Sequence, residues 1–210
     1  MGADGAMGRR YCAILKYLGV DYIPTEVGEG FPAAGSFDAV LIATPTYMHC
    51  QHIRKVWSYG VPILCEKPLG TDLAEVLDLC RDAEREGVKL RVCNQYAQLV
   101  PEGAHGDTRY DYFRTGKDGL AWDCISVIAL AKGPVLLGNQ SPVWTCKING
   151  HLLSIADMDR AYVKMLQGWL TGDVDGIDYI RRAHLKVAEY LDRAKGQQLS
   201  LADLDRGLHG

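Results

Sequence analysis

Two near-continuous apolar runs, residues 39–43 and 61–65, and a third short β-type run at 90–93 are separated by stretches of helical spacing. Runs of this kind read as strands covered on both faces, and their alternation with helices reads as a parallel sheet with crossover connections. Residues 7–18 carry Met7, Tyr11, Ile14, Leu15 and Leu18 at helical spacing and stop at Gly19. A helix is expected over 46–59. Another is expected over 71–86, with Thr71 as its cap, Leu73, Val76, Leu77, Cys80 and Ala83 on one face, and Gly87 at its end. Residues 20–25 form a short extended segment with Pro24 near its end, and the Gly-, Pro- and Ala-rich stretch 28–36 reads as a loop.

After residue 96 the alternation stops. Segments 110–113, 135–137 and 143–148 read as strands around an apolar helix at 120–131, and 117–119 as a turn before it. Residues 154–170 and 177–194 form two closing amphipathic helices. The expectation is an α/β nucleotide-type domain over 1–96, then a small α+β domain over 97–210 with a mostly antiparallel sheet. Its open face and unpaired edge suit pairing with a second copy.

A net charge of −3 gives no basic excess for a phosphate backbone, which argues against nucleic acid. No apolar run approaches the roughly 20 residues of a membrane span, and the start lacks a signal-peptide pattern, so a cytoplasmic protein is expected. Seven scattered cysteines without a C-x-x-C pair read as buried reduced thiols rather than disulfides or a metal centre. The isolated His105, His151 and His184 have no metal-ligand spacing. The tryptophans read as core or interface.

Residues 2–8, containing Gly2, Gly5, Ala6, Met7 and Gly8, make a glycine-rich turn immediately before a helix. Such a turn lets the backbone approach a pyrophosphate and offers the free amides of the helix start, although glycine clusters are also common as plain loops. The spacing departs from strict G-x-G-x-x-G, and only Met1 precedes the turn, so it must be braced without a first strand. Glu26 follows Gly8 by 18 residues, where an acidic group meets ribose hydroxyls, or else is a solvated surface residue. Ala43, Thr44, Pro45 and Thr46 follow one buried strand; Glu66, Lys67 and Pro68 follow the next. Both groups sit at carboxyl ends, where open α/β sheets bind ligands. A lysine there can hydrogen-bond a substrate hydroxyl and assist proton movement, or it forms a surface pair with Glu66.

The run from Phe37 to His49, the strand ending in Glu66, Lys67 and Pro68, and the strand ending in Asn94 and Gln95 together resemble the Gfo/Idh/MocA oxidoreductases. The resemblance covers residues 1–95 well and the remainder loosely. It implies a Rossmann-like, doubly wound domain binding NAD or NADP and a small-molecule substrate such as a sugar or polyol. It also implies a homo-oligomer. By the same resemblance Gly5, Met7 and Gly8 line the pyrophosphate, and Thr44, Pro45 and His49 border the nicotinamide side. Lys67 takes a catalytic role, and Asn94 and Gln95 sit at the mouth between the domains.

Three departures accompany it. Between Glu26 and Phe37 there is room for a loop where the family has a further helix and strand. The second domain is short. The stretch 119–128 holds Asp123 without the histidine that members often carry beside it. Asp123 either orients a substrate hydroxyl or anchors a structural helix, and Tyr96 either donates to a ligand or packs. The alternative is a descendant that kept the fold for nucleotide or protein binding and lost turnover.

Overall fold

A computed structural model describes residues 1–112, 118–138, 140–172 and 176–207. Phe113 of one expected strand and Lys117 of the expected turn lie outside the described residues. The first half contains α1 (Ala6–Tyr17), β1 (Val40–Ile42), α2 (His49–Val56), β2 (Ile63–Cys65), α3 (Leu73–Arg85) and β3 (Leu90–Val92). The strands form a parallel sheet in the order β1-β2-β3, with Ile42 opposite Cys65 and Cys65 opposite Val92.

Burial on both faces explains why these strands read as apolar runs. Ile63 and Cys65 pack with Ile53, Val76, Leu79 and Ile180 on one side, whereas Leu64 packs with Tyr11, Ile14, Met165 and Trp169 on the other.

The second half contributes β4 (Thr108–Asp111), α4 (Leu120–Asp123), α5 (Ile125–Leu130), β5 (Val135–Gly138), β6 (Thr145–Ile148), β7 (His151–Leu152), α6 (Ile155–Leu170) and α7 (Ile177–Gly207). Its sheet runs β5-β4-β6-β7, with β4–β5 parallel and the other two pairings antiparallel. The closing helices return to the first sheet: α6 supplies Tyr162, Met165, Leu166 and Trp169 to one core, and α7 supplies Ile180 to the other. Further along α7, Ala183 and Val187 pack against Ala121, Ile125 and Ile128.

Several local expectations are corrected. Asp72, not Thr71, caps α3, its Oδ1 accepting from the amides of Ala74 and Glu75. The helix over 46–59 begins and ends in 3-10 turns, and the one over 120–131 breaks at Cys124. The strand over 143–148 starts only at Thr145, and α7 continues well past residue 194. Segment 20–25 is extended but joins no ladder among the described residues. The reason lies in Met1. Its amino group donates to Leu41 O (2.8 Å) and its carbonyl accepts from Ala43 N (3.0 Å), while Gly2 N donates to Thr25 O (2.8 Å). Met1 and Gly2 thus make a single parallel rung between β1 and Thr25. Beyond it, a cavity of about 430 Å³ lined by Leu15, Ile23, Ala39, Leu41 and Trp169 separates the two. All seven cysteines are free and six are buried.

Candidate functional site

The rung made by Met1 braces the glycine turn, and Gly2 adopts φ +75° there, pressed against Ala43 O. Gly8 lies beneath the same turn. A Cβ on it would stand 1.9 Å from Gly2 O and 2.7 Å from Ala3 O, so only glycine lets the helix approach this closely. Helix α1 starts at Gly5 without a side-chain cap. Its first-turn amides, those of Ala6, Met7 and Gly8, therefore have no side-chain cap and present the positive end of the helix dipole. Glu26 reaches back to this turn, its Oε1 accepting from Asp4 N at 2.5 Å. Arg9 donates to Asp4 O, while Arg10 faces Asp159 at 3.5 Å and lies over the Tyr162 ring.

Because β1, β2 and β3 are neighbours in that order, their carboxyl ends bring Thr44–Thr46, Glu66–Pro68 and Asn94–Gln95 side by side. The buried His49 ties two of these ends together. Its Nδ1 lies 2.8 Å from Pro68 O and its Nε2 2.7 Å from Thr44 O. Thr44 Oγ1 pairs with His52 Nδ1 (3.0 Å), and burial beside Lys55 holds His52 below the usual imidazole range. Thr46 Oγ1 donates to Asp118 Oδ2 at 2.7 Å, and Pro45 is exposed.

The Lys67–Pro68 peptide is cis. Lys67 Nζ donates to the backbone carbonyl of Asp123 at 2.8 Å, so Lys67 and Asp123 do meet, through the Asp123 main chain. Glu66 is buried, its Oε1 accepting from Tyr11 Oη (2.5 Å) and its Oε2 from Lys67 N (2.9 Å). Tyr96 packs among Cys124, Val127, Cys146 and Ile148, and burial pushes its hydroxyl well above the usual phenol range, keeping it protonated. Asn94 Oδ1 and Gln95 Oε1 are buried without a hydrogen-bond partner among the described residues. Orphaned acceptors of this kind at strand carboxyl ends are unusual unless a ligand completes them.

Sequence patterning counted Tyr11 only as core, and did not raise His52 or Asp118 as partners for the threonines. The available signal for Tyr11 was a phenol on a buried stripe, which must find an acceptor. Among the described residues no group of three His, Cys, Asp or Glu could hold a metal ion.

The glycine cradle, uncapped helix start and orphaned acceptors fit a dinucleotide. Residues 21–94 match the Gfo/Idh/MocA model, an oxidoreductase family with NAD-binding Rossmann fold. The chain is 41% identical over 69 residues to the rhizopine catabolism protein MocA of Rhizobium meliloti, spanning 33% of this chain and 22% of that protein. It is 30% identical over 142 residues to an inositol 2-dehydrogenase of Mycolicibacterium smegmatis, covering 60% of this chain and 41% of that one. It thus spans well under half of these curated relatives. Among solved structures, the WlbA dehydrogenase of Thermus thermophilus, crystallised with NAD and UDP-GlcNAcA, superposes with TM-score 0.64 at 17% identity. That match covers 89% of this chain and 92% of the other, a likeness of fold.

Proposed function

Because residues 21–94 match the Gfo/Idh/MocA oxidoreductases with their NAD-binding Rossmann fold, we propose that this chain is a dehydrogenase of that family. It moves a hydride between a nicotinamide dinucleotide and a hydroxyl-bearing carbon of a sugar, polyol or related compound. The observation that carries this reading is the row of three strand ends: Lys67 Nζ at the middle one, and the unpartnered Asn94 and Gln95 oxygens on its neighbour. The dinucleotide supplies the hydride acceptor.

In this proposal the amides of Ala6, Met7 and Gly8, approached over Gly5, hold the pyrophosphate. Glu26 takes ribose hydroxyls. Ala43, Thr44, Pro45 and Thr46 border the nicotinamide side, with His49 fixing the turn they form. Lys67 hydrogen-bonds the reacting hydroxyl and handles its proton, and the Asp123 carbonyl aims the lysine. Tyr96 donates toward the substrate side, and Asn94 and Gln95 accept from donors of the bound pair. Residues 1–96 serve the dinucleotide and 97–210 the substrate. Two copies pair on the outer face of the second sheet, where Leu136 and Leu152 are exposed. Among the described residues no helix is long and apolar enough to cross a membrane. The buried thiols suit a reducing cytoplasm, where we place the protein.

Calorimetry with NAD(H) and NADP(H) on the wild type, Gly8→Asp and Lys67→Ala tests the assignment, followed by a hydroxy-compound screen at the nicotinamide absorbance. Binding lost in Gly8→Asp and kept in Lys67→Ala is the expected pattern. Absence of binding to folded wild-type protein sinks it.

A further inference from the structure

Helix α1, whose start would hold the phosphates, and the strand end carrying Lys67 are joined by two consecutive hydrogen bonds, the first buried and the second partly so. Tyr11 Oη donates to Glu66 Oε1 at 2.5 Å, and the opposite oxygen, Oε2, accepts from Lys67 N at 2.9 Å. Tyr11 and Glu66 are both more than nine-tenths buried, which shields the carboxylate from solvent. The Tyr11 ring is fixed edge-on against Tyr162, with centroids 5.9 Å apart, and its oxygen lies 2.9 Å from Cys93 Sγ at the end of β3.

We infer that Tyr11 is a positioning residue for Lys67: its hydroxyl holds the Glu66 carboxylate, which holds the Lys67 peptide group. For filling space alone a phenylalanine would serve, since Tyr11 sits in a core cluster with the apolar Ile14, Leu64, Met165 and Leu166. The hydroxyl is explained by what it grips. Burial pushes the Tyr11 phenol well above its ordinary range, so it stays protonated and remains a donor at any working pH. The consequence is mechanical: helix α1 and the Lys67 main chain are coupled through the Glu66 carboxylate. The role assigned to Lys67 rests on the function proposed above, whereas the coupling itself does not.

The experiment compares Tyr11→Phe, Glu66→Gln and the double variant by site-resolved amide hydrogen exchange, with α3 and α6 amides as the measure of global stability. Losing one hydrogen bond of ordinary strength should speed exchange at the Lys67 amide about tenfold in Tyr11→Phe. The α3 and α6 amides stay unchanged, and the double variant exchanges no faster than Glu66→Gln. Unchanged Lys67 exchange, a uniform acceleration, or additive effects overturn the inference. Should Tyr11→Phe fail to fold, 3-fluorotyrosine at position 11, a stronger donor of the same shape, must slow Lys67 exchange. If it does not, the inference fails. In turnover, Tyr11→Phe should lower kcat about tenfold with KM for dinucleotide and substrate unchanged. Equal loss in both, or none, counts against positioning. Wild-type protein that binds no dinucleotide would remove the proposed function and leave the exchange result standing on its own.

Discussion

Glu26 and the two arginines at the start of α1 leave the choice between NAD and NADP open when only their types are known. Their positions favour one answer. Glu26 accepts from the amide of Asp4 within the glycine turn, Arg9 is spent on Asp4 O, and Arg10 is drawn to Asp159 and Tyr162 on α6. With Glu26 meeting the ribose as proposed, and with Arg9 and Arg10 engaged elsewhere, its carboxylate repels a 2′-phosphate. NAD should therefore bind more tightly than NADP, and Glu26→Ser should raise NADP affinity about tenfold, read by calorimetry on both cofactors. A second residue-scale contrast uses the glycines. A Cβ on Gly8 would meet backbone atoms at 1.9 Å, whereas one on Gly5 would meet nothing nearer than 3.4 Å. Gly8→Ala should therefore cost about 1–3 kcal/mol of stability together with dinucleotide binding, and Gly5→Ala far less stability. Equal melting temperatures for the two variants would mean that the turn is not packed as described.

At the scale of elements, the cap of α3 makes a direct test. Asp72→Ala removes an oxygen serving two amides and should cost about 1 kcal/mol in thermal or denaturant unfolding, while Thr71→Ala should cost little. Sequence patterning placed the cap one residue early because Thr71 and Asp72 are both good capping types, and only the backbone decides which side chain reaches the free amides. The strands β1, β2 and β3 were legible since burial on both faces leaves its mark as an apolar run. The same runs put the T-P, E-K-P and N-Q ends in a row, so much of the candidate site was readable too. Residues 20–25 were legible as extended but not as unpaired, because strand status needs a partner, and pairing is a non-local fact; Met1 and Gly2 supply a single rung. The break at Cys124 escaped because periodicity continues through it on both sides. Lys67 reaching the Asp123 carbonyl escaped for another reason: a main-chain acceptor carries no residue type to read.

For the molecule as a whole, α7 is the element that joins its parts. Ile180 belongs to the core of the first sheet, Ala183 and Val187 pack on α4 and α5, and Lys186 Nζ donates to Ala129 O and Ala131 O. Between these contacts sits the buried His184, its Nδ1 donating to Ile180 O (2.7 Å) and its ring 5.8 Å from Trp122. Burial holds this imidazole below its ordinary value of 6.5, so the folded protein keeps it neutral where the unfolded chain would protonate it. The unfolded state thus binds more protons below pH 6.5, and stability falls as pH drops from there through the folded-state pKa. His52 contributes with the same sign. Denaturant titrations from pH 7.5 to 5 should show the loss, with a slope of at most about 1.4 kcal/mol per pH unit for each imidazole. His184→Gln should flatten the His184 share, and a slope identical to wild type would sink the assignment. Because α7 packs on α4, which ends at Asp123, and the Asp123 carbonyl holds Lys67 Nζ, loosening α7 in acid should also loosen that grip. Under the proposed function, turnover should therefore fall with acid at a higher pH than the loss of dinucleotide binding, which the proposal assigns to the glycine turn at the other side of the sheet.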